Sequence, residues 1–156
     1  MLNVNQLRDL IVKPVLLDLV AFSEDALELL LFTCAVESVG GTFLKKSKGS
    51  ALGIFCMRPN TYNHLWQTYI FKKSDILTKL ISNFNINQMP PEDRMIYDLR
   101  FATAMARIFY MTINETIPNN NDIDAMWDYY TKYYNKDTAS SEKEIALIKY
   151  NLFIRN

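Results

Sequence analysis

The chain has 156 residues, which suits one domain with a buried core and is too short to expect two. Its 17 Lys and Arg residues balance its 17 Asp and Glu residues, so no net charge attracts nucleic acid or an anionic membrane over a distance. No run of about eighteen apolar residues occurs, so we expect no membrane-spanning helix.

The N-terminal segment, residues 3–19, has the apolar spacing of an amphipathic helix. We expect Pro14 to kink this helix or divide it in two, because proline removes a backbone donor. Charged residues interrupt the segment throughout, so it lacks the apolar core of a signal peptide. We therefore expect synthesis in the cytoplasm of the producing cell without export.

A central helix is predicted next. Ser23 is a suitable N-cap, acidic residues follow it in the first turn, and a Gly-Gly pair ends the helix after Val39. The residues between are apolar on every side of the axis, which is typical of a helix enclosed by others. The two cysteines, Cys34 and Cys56, are too few for a disulfide framework, and we expect free thiols.

Residues 42–59 lack a helical period and contain two glycines, so we expect a loop with short extended pieces. Asn60 or Thr61 is predicted to cap the helix that follows. Its buried face has helical spacing and consists of Tyr62, Leu65, Trp66, Tyr69 and Ile70. A short helix over residues 75–81 comes next.

Three further helices complete the predicted chain. Pro91 and the acidic residues after it open a long helix to about residue 111. Another helix covers 123–135, and Ser141 with Glu144 forms a capping box for the last one. No repeat or interdomain linker is found, so the whole chain, residues 1–156, is predicted to be one mainly α domain.

Glu37 lies at the C-terminal end of the predicted central helix, where the apolar run stops. A carboxyl group that loses hydration keeps its proton more readily, which suits a general acid working near neutral pH. Position alone also allows a second interpretation, in which Glu37 is a solvated residue beside the glycine turn. The motifs around it favour the catalytic interpretation.

Three short motifs resemble those of the soluble lytic transglycosylase and goose-type lysozyme families. The first is the pair Glu37-Ser38, and the third is Tyr134-Asn135 at a helix end, where the family has A-Y-N. The second is "ALGIFCMRPNT", which resembles the family segment A-x-G-L-M-Q-x-M-P-x-T at Ala51, Gly53, Ile54, Phe55, Met57, Pro59 and Thr61. Asp98-Leu99, followed by Ala102, resembles a divergent copy of the Asn-hydrophobic helix of the family.

The resemblance implies a lysozyme-like fold, in which a helical lobe and a small irregular or β lobe over residues 42–59 flank a substrate groove. It implies that Glu37 is the catalytic residue and protonates the β-1,4 bond between N-acetylmuramic acid and N-acetylglucosamine. Glu37 would then take a proton from the muramoyl 6-hydroxyl, giving a 1,6-anhydro sugar. Substrate-binding residues implied by the resemblance are Ser38, Gly53, Ile54, Phe55, Cys56, Met57, Tyr134 and Asn135. The expected partner is a peptidoglycan glycan strand, and no cofactor or metal is expected.

A scheme with one carboxylate agrees with the spacing of acidic residues. Glycoside hydrolysis usually needs two carboxylates, and no acid occurs between Glu37 and Asp75. A hydrolase would have to use Asp75, Asp93 or Asp98 from a helix, so we rank the transglycosylase above the hydrolase.

Two positions depart from the family pattern. Cys56 stands where the family has Gln, and a thiol cannot offer the paired donor and acceptor of an amide. Tyr133 stands where the family has a small residue, and no glycine follows Tyr134-Asn135 closely. At Cys56, one polar contact of the family groove is therefore lost.

Cell-wall cleavage by a protein without an export signal is typical of bacteriophages, and "ALGIF" and "LRFATAMARIFY" resemble a virion-associated branch of the lysozyme superfamily. The first hypothesis is therefore a virion-associated lytic transglycosylase. The second is a structural virion protein that keeps the lysozyme-like fold with weak or no activity and contacts other virion proteins.

Other chemistries have little support. His64 is the only histidine and falls opposite the apolar face of its helix, where we expect it to be exposed. A His-based metal site or a Ser-His-Asp triad is therefore not expected. No glycine motif for nucleotides occurs. The Lys cluster at 45–48 and Arg58 are interpreted as solvated, with contact to anionic peptide stems as the alternative.

Overall fold

Helices make up most of the chain in the computed structural model, which describes residues 1–156. In chain order they are α1 (Val4–Gln6), a π-helical segment (Leu7–Val12), α2 (Lys13–Asp18), α3 (Glu24–Ser38), α4 (Pro59–Thr68), α5 (Ser74–Phe84), α6 (Arg94–Tyr97), α7 (Leu99–Met111), α8 (Ile123–Tyr133) and α9 (Lys143–Ile154). Short 3-10 turns, Ile70–Lys72 and Ser140–Glu142, precede α5 and α9. The prediction of a mainly α protein is confirmed.

The N-terminal helical run changes its winding just before Pro14. The backbone N–H of Lys13 donates to the carbonyl of Arg8, five residues earlier, which is the π-helical pattern. The proline ring would otherwise crowd the carbonyl of Leu10, four residues before it, and a wider turn relieves this contact. The expected disturbance at Pro14 therefore takes the form of a π-helical segment.

Helix α3 is enclosed on all sides, as its composition predicts. Its residues Leu29, Leu30 and Leu31 are fully buried, and the π-helical segment, α7, α8 and α9 pack around it. The Ser23 hydroxyl accepts a hydrogen bond from the Ala26 N–H at 3.0 Å, which confirms the predicted N-cap. The helix thus forms the axis of the hydrophobic core.

Two predicted helix starts are wrong in detail. Helix α4 begins with Pro59 at its first position, where a missing N–H costs nothing, rather than after a cap at Asn60 or Thr61. The predicted capping box of Ser141 and Glu144 is not formed, because a 3-10 turn over 140–142 leads into α9.

The long helix expected from Pro91 to residue 111 is interrupted at Asp98. Its backbone is extended there, and its Oδ1 accepts from the Phe101 N–H at 2.9 Å, so Asp98 caps α7. The same carboxylate accepts from Arg94 at 3.0 Å. The Asp98 side chain replaces a backbone carbonyl as the acceptor for the Phe101 N–H, which explains the separate α6 and α7.

Residues 42–58 form an irregular segment over the C-terminal end of α3. Its extended backbone is limited to two isolated antiparallel bridges, which join Leu52 to Lys45 and to Met57. The prediction of loop and short extended pieces is confirmed. None of the helices combines the length and the apolar composition needed to cross a membrane.

Candidate functional site

The Glu37 carboxylate lies in the last turn of α3 and is almost wholly buried, since its side chain is 4% exposed. Its Oε1 atom accepts from the Tyr130 hydroxyl at 2.6 Å and from Asn135 Nδ2 at 3.0 Å. Its Oε2 atom accepts from Lys46 Nζ at 3.0 Å. The carboxylate therefore joins α3 to α8, to the residues after α8 and to the irregular segment.

A carboxylate at this position is unfavourable for the helix alone, because the C-terminal end of a helix carries partial negative charge. Two cations offset that charge. Lys46 pairs with Glu37 directly, and Lys149 of α9 donates to the Val36 carbonyl at 3.4 Å. The placement of Glu37 is thus held by surrounding segments rather than by helix propensity.

Lys46 keeps its positive charge in this contact. Burial alone would lower the pKa of Lys46, but attraction to the Glu37 carboxylate and the hydrogen bond to it outweigh burial, so the pKa is raised. The Lys46 side chain is still 43% exposed and belongs to a loop. It can therefore leave Oε2 without disturbing the core.

The backbone after α3 is strained. Val39 has a φ of 52°, in the left-handed region that a β-branched residue rarely adopts. The N–H of Gly40 donates to the Cys34 carbonyl at 3.1 Å and closes the helix end. This tight ending directs the irregular segment back across the carboxylate.

Glu37 lies on the wall of a cavity of about 620 Å³. The irregular segment and the start of α4 form one side, which includes Lys46, Cys56 and Arg58. Phe109 of α7 and Asn135 also line the cavity. The cavity therefore falls within the size range of small-ligand sites.

Cys56 faces this cavity from a tight turn. Its φ is 48°, and its Sγ donates to the Glu37 backbone carbonyl at 3.4 Å. Burial first, and then the negative charge of Glu37, raise the pKa of the Cys56 thiol to about 12. The thiol is therefore protonated near neutral pH and serves as a weak donor.

Gly53 makes the same turn possible. Its φ is 75°, and a Cβ atom at this position would lie 2.3 Å from the Met95 carbonyl oxygen. Only glycine fits such a close approach to α6 without a shift of the backbone. The contact fixes the irregular segment against the helices and so fixes the position of Cys56.

The residues predicted for the site fall into two groups. Glu37, Cys56, Met57, Tyr134 and Asn135 all line the cavity. The other predicted positions lie behind its wall and are Ser38, Gly53, Ile54 and Phe55.

The residues behind the wall have structural contacts. The Ser38 hydroxyl donates to the Cys34 carbonyl at 3.1 Å and accepts from the Gly41 N–H at 2.9 Å, so it secures the end of α3. The Phe55 carbonyl accepts from the Tyr134 hydroxyl at 2.7 Å, which ties the turn to the end of α8. These residues position the lining residues.

Aromatic rings support the carboxylate from behind. Tyr134 stacks between Tyr110 and Tyr130, with ring centroids 5.3 and 6.0 Å away. Burial, followed by the negative charge of Glu37, raises the pKa of Tyr130 and of Tyr134 far above the usual value. Tyr130 is therefore a neutral hydroxyl that donates to Oε1.

Several residues at the site were not predicted as site residues. Tyr130 contacts Glu37 from behind the cavity wall and lies one helical turn before Tyr134, and that spacing is the signal that places both on one face. Lys46 was interpreted as solvated. Asp137 and His64 also line the cavity. The Arg58 guanidinium pairs with Asp137 at 3.1 Å across exposed surface, a contact that sequence spacing does not indicate.

Comparisons with protein families, with curated proteins and with solved structures found no match to this chain. The structure contains no cluster of three or more His, Cys, Asp or Glu side chains that could hold a metal ion.

Proposed function

We propose that the protein is a peptidoglycan lytic transglycosylase with a lysozyme-like fold, associated with a phage virion. The observation that carries this proposal is the Glu37 carboxylate, which is nearly buried yet forms part of a cavity wall. The order of the motifs around Glu37, Cys56 and Tyr134-Asn135 supports it. Under this proposal the irregular segment is the small lobe, the helices are the large lobe, and the cavity is the groove between them.

The two carboxylate oxygens have different surroundings, which assigns them different roles in the proposed reaction. Oε1 already accepts from Tyr130 and Asn135, whereas Oε2 accepts a hydrogen bond from the half-exposed side chain of Lys46. A glycan strand that displaces Lys46 would meet Oε2. The transferable proton therefore belongs on Oε2, while Oε1 holds the carboxyl group in place.

The proposed reaction needs one carboxyl group in two steps. Once the strand has displaced Lys46 and Oε2 has taken up a proton, Glu37 gives this proton to the glycosidic oxygen as the bond to the anomeric carbon of the muramoyl residue breaks. The muramoyl 6-hydroxyl then bonds to that carbon, and Oε2 takes the hydroxyl proton. The products are a 1,6-anhydro muramoyl end and a glucosamine with a free 4-hydroxyl, and Glu37 regains its proton.

The acids needed for hydrolysis are poorly placed. The three considered from the sequence, Asp75, Asp93 and Asp98, do not line the cavity. Asp137 does line it, but its side chain is 76% exposed and paired with Arg58. A second carboxylate engaged in an exposed ion pair is a weak nucleophile or base, so we favour the transglycosylase over the hydrolase.

A structural virion protein is the second candidate function. Two observations favour it: Lys46 blocks Oε2, and the small thiol of Cys56 donates back to the protein instead of offering an amide to a ligand. Such a protein would keep the fold for assembly with other virion proteins.

Zymography on purified peptidoglycan distinguishes the two candidates. We expect the wild type to clear the gel, Glu37→Gln to lose clearing, and Glu24→Gln, an exposed change on the same helix, to retain it. Mass spectrometry of the products should show anhydro-muramoyl ends. A wild type that leaves the peptidoglycan intact would contradict the enzyme, and reducing ends without anhydro sugar would indicate hydrolysis.

A further inference from the structure

A smaller cavity of about 140 Å³ adjoins the cavity that Glu37 lines. Thr61, His64 and Phe109 belong to both walls, so the two spaces lie next to each other along the same residues. The smaller cavity is large enough for several water molecules, since one needs about 10–15 Å³ of such volume, and so has room for a small polar group.

The floor of the smaller cavity is the outer face of α4. Thr61, His64 and Thr68 have the helical spacing i, i+3, i+7, so they form a row along one face. Tyr62 and Trp66 point into the core from the other face. The polar row therefore leads from the Glu37 cavity into the smaller one.

The hydroxyl groups in the smaller cavity are oriented as acceptors. Thr68 donates to the His64 carbonyl at 2.8 Å, and Thr112 donates to the Phe109 carbonyl at 2.7 Å. Each hydroxyl proton is thus used within the protein, and the oxygen lone pairs remain available. The bond that His64 makes with Thr68 uses its backbone carbonyl, so its imidazole is available to donate or accept. A sugar hydroxyl, which donates and accepts, matches this set.

Phe109 supplies an apolar wall where the two cavities meet. Its ring contacts that of Tyr134 edge-on, with a centroid distance of 5.0 Å, so its position is fixed relative to the Glu37 site. The apolar C–H face of a pyranose ring packs favourably on such a surface. Small-ligand sites usually combine an aromatic surface with a few polar groups, as this cavity does.

We propose that the smaller cavity binds one further sugar of the glycan strand, with Phe109 as the apolar contact and His64, Thr68 and Thr112 as hydrogen-bonding groups. The inference rests on the proposed function, because it extends the strand from Glu37 along α4. It predicts that affinity depends on strand length.

The test compares ligands of different length on matched variants. Calorimetry would measure the binding of the disaccharide, tetrasaccharide and hexasaccharide of the GlcNAc–MurNAc repeat to Glu37→Gln, which should leave them uncut. In that background we add Thr68→Val with Thr112→Val, which lie on the smaller cavity alone. We expect hexasaccharide affinity to fall about ten-fold and disaccharide affinity to stay unchanged.

Thr78→Val is the matched control, because Thr78 is an exposed helical threonine with the same back-bond, at 2.7 Å to Ser74, away from the cavity. Thermal melting checks that all variants are folded. Unchanged hexasaccharide affinity, or an equal loss of affinity for all lengths, would overturn the inference. The proposed function would still be supported if the wild type cleared peptidoglycan. Absence of both binding and clearing would overturn the two together.

Discussion

The hydrogen bond from Tyr130 to Glu37 should make a measurable contribution to stability. Tyr130→Phe removes the hydroxyl that donates to Oε1 at 2.6 Å and keeps the ring, which is 1% exposed and packed against Phe32 and Trp127. A hydrogen bond to a charged group contributes about 1.5–3 kcal/mol. We expect that loss in the free energy of unfolding, which corresponds to roughly 3–12 °C in melting temperature for a chain of this size.

A double-mutant cycle with Glu37→Gln isolates how much the negative charge of Glu37 adds to this hydrogen bond. In the Glu37→Gln protein the amide oxygen can still accept from Tyr130, but a neutral hydrogen bond contributes only about 0.5–1.5 kcal/mol. Tyr130→Phe should therefore cost about 1 kcal/mol less in the Glu37→Gln background than in the wild type. Urea denaturation of the four proteins measures this difference. A loss below about 0.5 kcal/mol in the wild-type background, the range of surface substitutions, would refute the assigned contact.

Three further predictions concern the core, the turn and the cavity. Leu30→Ala, at a fully buried position of α3, should cost about 2–5 kcal/mol in urea denaturation, and a loss near zero would place α3 at the surface. Gly53→Ala should lower the melting temperature more than Gly49→Ala does, because both glycines have positive φ but only Gly53 is crowded by Met95. Equal losses would contradict that contact. Cys56→Gln should raise peptidoglycan clearing several-fold, by about 1 kcal/mol from one restored hydrogen bond, whereas a lower melting temperature without gain would favour the structural protein.

The sequence predicted the helical architecture well where local patterns decide it. Helix α3 was predicted with its N-cap at Ser23 and its end within one residue, because capping and all-round apolar composition are local signals. The break at Asp98 was missed, since both Pro91 and Asp98 are plausible helix starts and spacing alone does not show that the Asp98 carboxylate binds the Phe101 N–H and Arg94. The lysozyme-like arrangement stays a prediction.

The candidate site was predicted only in part for a related reason. Glu37, Cys56 and Tyr134-Asn135 were found through motif spacing, but Lys46 and Tyr130 contact the carboxylate through folds of the chain that spacing does not encode. Charged residues in short loops are usually solvated, so the sequence around Lys46 does not predict its contact with Glu37. Tyr130 resembles every other core tyrosine until the position of α3 relative to α8 is known.

The aromatic rings behind Glu37 give the site an optical reporter of its own. Trp127 lies 6.0 Å from the Tyr130 ring, while the second tryptophan, Trp66, packs with Tyr62 and Phe71 in a separate group. Excitation energy absorbed by the tyrosines near Glu37 can therefore transfer to Trp127. A Trp66→Phe protein would carry a single fluorescent indole, and it would lie beside the site. Ligand occupancy and local unfolding around the carboxylate could then be followed in real time without any attached dye.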